Sequence, residues 1–215
     1  MDRKMIPIQT LRRLPVYLHY LKSIRNSYPN ISASAVAEAF GLNDVQVRKD
    51  LGAASGSGRP KTGYNTEELI EQLEECLGCR SVTKTVLVGA GNLGKALMSY
   101  DGFSDYGLDV IAAFDTDNGL VGTMIHGKPV LPMEDLAAVC ADKKIRLGIV
   151  TVPVAAAQTV CDQLIANGIQ AIWNFAPTIL KVPHGVLVEN ENLASSLAVL
   201  NQHLQAGATA GIVEE

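Results

Sequence analysis

The stretch VLVGAGNLGKAL, residues 86–97, runs from an apolar segment into Gly89, Gly91 and Gly94 and then into a helix-forming segment. That spacing suits the grip of a dinucleotide. Gly89 allows a tight turn, Gly91 lets backbone approach a pyrophosphate, and Gly94 lets helix pack on strand. Ala90, Asn92 and Leu93 complete the turn at a helix start, where phosphate charge is favoured. Asp115 closes the next strand-like segment, LDVIAAFD. A carboxylate at that place accepts a hydrogen bond from a ribose 2′-hydroxyl, and Asp117 beside it repels a 2′-phosphate, so NAD is favoured over NADP. The alternative for Asp115 is a turn or helix cap. Ligands of such sheets bind outside the carboxyl ends of the strands, which points to Thr151-Val152-Pro153 and Asn174-Phe175-Ala176-Pro177 as the border of a nicotinamide. Pro153 and Pro177 alternatively do no more than end their strands.

No acid–base constellation accompanies these residues. His126, His184 and Lys181 each lie in a short turn-rich segment without an evident partner and read as solvated surface. Cys76 and Cys79 have CxxC spacing, but a structural zinc needs four ligands, and neither a second pair nor a nearby histidine supplies them. No metal site is expected.

The elements that would position these residues follow from pattern. Residues 85–190 alternate strand-like and helix-like segments, the mark of a parallel sheet with helices on both faces, here a doubly wound Rossmann sheet. Before it, Leu11, Leu14, Leu18 and Leu21 fall at helical spacing, with Pro15 either starting the regular helix near Leu14 or kinking it. Ser32 caps ASAVAEAF, Gly41 ends it and Asn43 caps DVQVRKDL, so two short helices flank a three-residue turn as in a helix-turn-helix. The second helix is expected to bury Val45, Val47 and Leu51 and to offer Gln46, Arg48 and Lys49 to a major groove and its phosphates; Arg48 alternatively pairs with a carboxylate. GAASGSGRPKTGYN then reads as a linker or, preferably, as the hairpin wing of a winged helix carrying Arg59 and Lys61, because Asn65 starts another helix after it. At the other end, Leu193, Leu197, Leu200 and Leu204 form one helical stripe that packs on its own sheet or docks into a second subunit.

Charge separates the halves. Residues 1–63 hold ten Lys and Arg against four Asp and Glu, whereas the remainder holds eight against eighteen, so the overall net charge of −4 conceals a basic third. That third is the part expected to meet a polyanion such as double-stranded DNA. No run of about eighteen apolar residues occurs and the first residues do not form a signal peptide, so a cytoplasmic protein without membrane contact is expected.

Taken in order, RRLPVYLHYL, VRKDLG, GYN with EEL, VGAGNLGKAL, FDTD, TVP, NFAP and VEN resemble the Rex family of redox-sensing transcriptional repressors over essentially the whole chain. The resemblance implies a winged-helix DNA-binding domain (1–80), a Rossmann NAD(H)-binding domain (81–190) and a C-terminal helix (191–215) exchanged in a homodimer. It further implies a palindromic operator, released when the ratio of NADH to NAD+ is high, with Asn192, Leu193 and Leu197 wedged near the nicotinamide and Tyr100 beside it. This chain departs from the family pattern in three places: GAASGSG lacks two aromatics that usually follow RKDL, His19 replaces an arginine, and Asn192 stands where an aspartate is common. A chain with about 80 residues given to DNA binding has no room for a separate catalytic domain, so a repressor rather than an enzyme is expected. The alternatives are a small NAD-dependent oxidoreductase whose N-terminal domain mediates assembly, and a regulator holding another nucleotide such as coenzyme A.

Overall fold

Three capping side chains mark out the N-terminal part of the fold. After helix α1 (Ile8–Ile24) and the short strand β1 (Asn30–Ile31), Ser32 Oγ accepts the N–H of Ala35 at 3.0 Å and starts helix α2 (Ala33–Phe40). Asn43 Oδ1 accepts the N–H of Val45 at 2.9 Å and starts helix α3 (Asp44–Ser55). After strand β2 (Tyr64–Asn65), Asn65 Oδ1 accepts the N–H of Glu68 at 3.0 Å and starts helix α4 (Thr66–Leu77). Each bond satisfies an N–H that a helix start leaves without an internal acceptor.

The structure, a computed structural model, describes residues 6–60 and 62–205, without the side chain of Leu193. Its described residues divide into two compact units. One runs to Val82 and also takes in Gly102–Gly107; the other holds Thr83–Asp101 and the chain from Leu108 onward.

In the first unit, Leu14, Leu18, Leu21, Val47, Leu51 and Leu73 are buried in one core. Two sequence expectations need correction. Helix α1 begins at Ile8 and runs through Pro15, so the regular helix does not wait for Leu14. The carbonyl that Pro15 leaves without its helical donor belongs to Leu11, which is exposed, so water can take the donor's place. Val45 is also exposed, at 51%, because the buried face of α3 is set by Val47, Asp50 and Leu51, and Val45 lies on the opposite side.

That buried face contains a charge. Asp50 is 1% exposed and accepts hydrogen bonds from Arg13 Nε (2.7 Å), Arg13 Nη2 (2.9 Å), Thr10 Oγ1 (2.8 Å) and Tyr17 Oη (3.1 Å). All three donors sit on α1, so one carboxylate locks α3 to α1. Burial alone would raise the Asp50 pKa, but the bonds from Arg13, Thr10 and Tyr17 and the guanidinium charge outweigh it and leave it lowered. Tyr17 is pushed up to about 12, by burial first and by Asp50 second.

The second unit is a seven-stranded sheet. Its elements are β3 (Thr83–Val88), α5 (Asn92–Met98), β4 (Leu108–Asp115), β5 (Met124–Ile125), β6 (Lys128–Pro132), α6 (Leu136–Lys143), β7 (Leu147–Val150), α7 (Val154–Ala166), β8 (Ala171–Asn174), β9 (Leu187–Asn190) and α8 (Leu193–Gln205). The order is β5-β6-β4-β3-β7-β8-β9, parallel except for the β5–β6 pair. The chain starts at the centre with β3, winds out through β4 to β6, then returns to β7 and winds out the other way. That reversal beside β3 is a topological switch point, where crevices form at the strand ends. The expected doubly wound sheet is therefore present, with one addition. The β5–β6 hairpin turns at His126 and Gly127, both at positive φ (48° and 73°), the conformation of a tight two-residue hairpin.

Leu197, Leu200 and Leu204 on α8 are 67%, 49% and 77% exposed, so the stripe does not bury itself on its own sheet.

Asp50→Ala removes the acceptor from a guanidinium and two hydroxyls, and we expect a loss of about 3 kcal/mol in the first unit. In urea, the far-UV dichroism transition should move to lower denaturant while the fluorescence of Trp173, the single tryptophan, which lies in β8, keeps its midpoint. The pH dependence has a definite sign. Asp50 contributes fully above about pH 4, its ordinary value, and loses its contribution as pH falls from there through its lowered folded value, whereas Tyr17 contributes below about pH 10 and loses its contribution as pH rises from there.

Candidate dinucleotide cleft and nucleic-acid face

The sharpest steric constraint in the second unit is the approach of the α5 start to the end of β3. A Cβ on Gly94 would lie 2.0 Å from the carbonyl oxygen of Gly89, so helix and strand could not approach as they do with any side chain there. Gly89 itself has φ +102°, and a Cβ on it would lie 2.9 Å from the Thr151 carbonyl and from Val152. Thr151 completes the joint: its N–H donates to the Val88 carbonyl at 2.9 Å and its Oγ1 to the Gly89 carbonyl at 2.7 Å. The ends of β3 and β7 are thereby pinned together around the turn.

Beside this joint lies a cleft of about 550 Å³, within the usual size of a small-molecule site. Gly89, Gly91, Asp115, Asp117, Thr151, Val152 and Pro153 line it, together with apolar side chains that include Leu120, Met133 and Val160. Gly91 differs from the other two glycines, since a Cβ there would have nothing within 4 Å. Nothing within the protein forbids a side chain at Gly91, and the space it leaves open belongs to the cleft. No lysine or arginine lines the cleft among the described residues.

Asp115 makes a local turn, one of the two roles open to it from sequence, and lines the cleft. Its Oδ2 accepts the Ala90 N–H at 2.6 Å and its Oδ1 accepts the N–H groups of Thr116 and Asp117 at 2.7 and 2.9 Å. The carboxylate thus ties the glycine turn to the end of β4 and makes a local turn, while it still faces the cleft with lone pairs available to hydroxyl donors. Asp117 Oδ1 accepts the Gly119 N–H at 2.8 Å.

Ala90, Asn92, Leu93 and Gly94 form the turn and the start of α5 around Gly91, and the Ala90 N–H is bonded to Asp115. Asn174 ends β8, Phe175 follows it, and Tyr100 is exposed just beyond α5. Asn174 is fully buried, where its Nδ2 donates to Thr178 O (2.8 Å) and Asn190 Oδ1 (2.9 Å) and its Oδ1 accepts the Ala176 N–H (3.0 Å). It staples the loop after β8 to β9. Phe175 packs on Trp173, with ring centroids 4.8 Å apart. His126, Lys181 and His184 are outside the cleft: His126 is in the hairpin turn, and Lys181 and His184 are exposed. Asn192 Oδ1 accepts the N–H of Ala194 at 3.0 Å and so caps α8. Among the described residues, no cluster of His, Cys, Asp and Glu could hold a metal ion.

In the first unit, the outward face of α3 carries Arg48 and Lys49, with Gln46 at its flank, all exposed. Arg48 Nη2 donates to Asp44 at 2.8 Å, an exposed i,i+4 pair that contributes little. Val45, missed by the assumption that apolar residues of this helix face inward, shares the same outward face. The wing expectation also needs adjusting. Gly52–Ser55 continue α3 instead of starting a loop. The turn that follows is tight, with the Arg59 N–H donating to the Gly63 carbonyl at 2.7 Å and the Gly63 N–H donating back at 2.9 Å. The ring of Tyr64 packs over Gly58, where a Cβ would sit 2.9 Å from it, so an aromatic supports this turn from the β2 side. Arg59 is exposed on the turn, and Lys61 lies outside the described residues.

A helix-turn-helix unit joined to a doubly wound sheet with a glycine-turn cleft is the architecture of a nucleotide-responsive DNA-binding protein. Comparison with known proteins narrows this. Residues 80–178 match a family model described as a CoA binding domain, and residues 5–52 match one described as "Putative DNA-binding protein N-terminus". The redox-sensing transcriptional repressor Rex of Pelotomaculum thermopropionicum is 42% identical over 200 residues, covering 93% of this chain and 94% of that one. Rex of Streptomyces coelicolor is 39% identical, covering 94% of this chain and 79% of that one. Among solved structures, RSP in complex with beta-NAD+ and operator DNA superposes with a TM-score of 0.87 at 36% identity, covering 96% of this chain and all of that one. RSP in complex with beta-NADH gives 0.83 at 35% identity, covering 95% of this chain and 96% of that one. The chain belongs to the Rex family of redox-sensing transcriptional repressors.

The glycines separate structure from ligand in a testable way. We expect Gly94→Ala to lose about 3 kcal/mol, read as a melting temperature lower by at least about 5 °C. Gly91→Ala should melt within about 2 °C of the parent.

Proposed function

We infer that this chain is a repressor that reads the ratio of NADH to NAD+, with NADH releasing it from a palindromic operator. The observation that carries the inference is the cleft at the switch point, walled by a glycine turn and two carboxylates, in the same chain as a helix-turn-helix unit. NAD(H) fits that wall. Gly91 leaves room for a pyrophosphate to approach the backbone, and Asp115 accepts from a ribose hydroxyl. The pair Asp115 and Asp117, with no lysine or arginine lining the cleft among the described residues, disfavours the extra phosphate of NADP. The same argument disfavours coenzyme A, whose adenosine also carries a ribose phosphate, although residues 80–178 resemble a CoA binding domain.

The titratable side chains that line the cleft, Asp115 and Asp117, hold backbone N–H groups and have no proton-relay partner in that wall. This supports a binding site used for sensing rather than turnover, and the protein is proposed not to be an enzyme. Oxidised nicotinamide is cationic and the reduced ring neutral, so desolvation beside Val152 and Pro153 favours NADH. The exposed leucine stripe of α8 supports a homodimer in which this helix docks on the second subunit. Among the described residues, no helix is long and apolar enough to cross a membrane, and the proposed site of action is the cytoplasm, on DNA.

On the DNA side, Arg48 and Lys49 meet phosphates or base edges, Gln46 and Arg59 flank them, and Val45 offers an apolar contact to a thymine methyl. Lys49→Ala should weaken all sequences alike and reduce the slope of log affinity against log salt by about 1, whereas Val45→Ser should leave that slope unchanged and relax preference at one base pair.

Titration of one operator at fixed salt tests the reading. Saturating NADH should weaken operator binding at least about tenfold and NAD+ much less, and by linkage the operator should weaken NADH binding by the same factor. Gly91→Ala should lower NADH affinity at least about tenfold in this assay. Operator affinity that is independent of NADH, together with turnover of NADH on a metabolite, would favour the oxidoreductase alternative.

A further inference from the structure

Several glycines of this chain are required by the protein itself, through a positive φ as at Gly41 and Gly78 or through a close neighbour as at Gly94. Gly52 and Gly91 are required by neither. Each lacks a positive φ, and a Cβ on either would meet nothing within 4 Å. At Gly91 the open space is the dinucleotide cleft. At Gly52 it is the space in front of α3, and Gly52 lies well inside that helix. A glycine there weakens the helix relative to alanine, because its unfolded backbone has more freedom to lose. Nothing among the described residues offsets that loss, so the reason for the glycine is sought in what meets the helix from outside.

Its place on α3 says what that is. Gly52 follows Arg48 by four residues, Lys49 by three and Val45 by seven, so it continues the outward face that these exposed residues form, opposite the buried Val47, Asp50 and Leu51. The charge on this side suits a polyanion. The chain from Leu51 to Asn65 contains Arg59 and Lys61 and neither Asp nor Glu, and Asp44, at the far end of the helix, is paired with Arg48. Distance narrows the choice further. Seven residues advance a helix by about 10 Å, and a DNA major groove is about 8.5 Å deep. With Val45 at the base edges, an inclined α3 therefore brings Gly52 to the rim of the groove, where the sugar-phosphate strand runs.

We propose that Gly52 is the point at which a DNA sugar-phosphate strand closes on the backbone of α3. The proposal rests on the DNA-binding reading above. Gly52 itself brings no charge and no side-chain bond. It sets how near the strand comes, and the phosphate contacts of Arg48 and Lys49, one turn earlier, weaken as that distance grows. A Cβ at this position holds the strand off, and a longer side chain holds it off further. The inside of the helix and the core behind it are untouched by either change, because the space that the new atoms enter is open.

Gly52→Ala and Gly52→Leu test it in the full-length protein. The probes are a duplex that the parent selects from a random-sequence library and an unrelated duplex of the same length, both at one fixed salt. For Gly52→Ala we expect a melting temperature higher by at least about 2 °C, since alanine favours the helix and meets no neighbour, together with a Kd raised at least about fivefold for both duplexes. Gly52→Leu should weaken both further. A protein that becomes more stable while it binds DNA less well is the signature of a glycine kept open for the strand. A smaller change in Kd for Gly52→Ala overturns the proposal. A lower melting temperature for Gly52→Ala also overturns it, because the protein itself then needs the glycine. A loss confined to the selected duplex does so too, since Gly52 then faces a base edge and not the strand. A parent that selects no duplex overturns the DNA-binding reading itself.

Discussion

The dinucleotide unit depends on one steric fact, the absence of a side chain where the α5 start meets the carbonyl of Gly89. Because Gly94 lets that oxygen approach, the turn between β3 and α5 is tight enough to lie over the end of the central strand. Thr151 can then reach across and tie β7 to the same point. The cleft is the space left beside this joint. Asp115 secures it from the third side through Ala90, so three strand ends meet within hydrogen-bond reach of one turn. The positions of Val152, Asp117 and the apolar walls follow from that convergence.

The DNA-reading unit is organised on a different principle. Its core is apolar, but the placement of α3 against α1 is decided by a buried carboxylate with four hydrogen bonds from three side chains of α1. An apolar interface of this size tolerates sliding, since leucine packs against leucine in several registers. A bidentate guanidinium–carboxylate pair has one geometry. In the proposed reading, in which α3 presents Val45, Arg48 and Lys49 to DNA, such a lock fixes their heights.

What was legible in the sequence was what is local. The three caps, the glycine turn and the alternating segments around it depend on residues close in the chain, and the expected fold class followed from them. What was not legible depended on distant partners or on signals that cancel. Arg13 and Asp50 are 37 residues apart, and nothing in either neighbourhood announces the pair. The β5–β6 hairpin was hidden by Pro129 and Pro132, which read as breakers, although β6 sits near the sheet edge where proline is tolerated. Asn174 ends a strand at the edge where a cofactor was expected, and nothing near it in the chain announces that its amide ties the loop after β8 to β9. Val45 was misplaced because hydrophobicity was taken to imply burial, whereas apolar residues also occur on exposed faces.

The division of labour within the cleft bears on how a sensor distinguishes two ligands that are nearly the same. NAD+ and NADH share their adenosine, pyrophosphate and riboses, so the glycine turn and Asp115 would hold both alike and set only the concentration range over which the protein responds. Equal binding of both states shifts no equilibrium, however tight it is. Discrimination must come from the nicotinamide end, where one positive charge is the difference. In this chain the proposed site for that end is the wall of Thr151, Val152 and Pro153. That wall is joined by Thr151 to the same turn from which α5 departs. A catalytic site would need a proton donor and a second substrate beside the ring. A sensor needs a wall that tells charge from no charge, and in the proposed reading Val152 and Pro153 beside Gly89 form it.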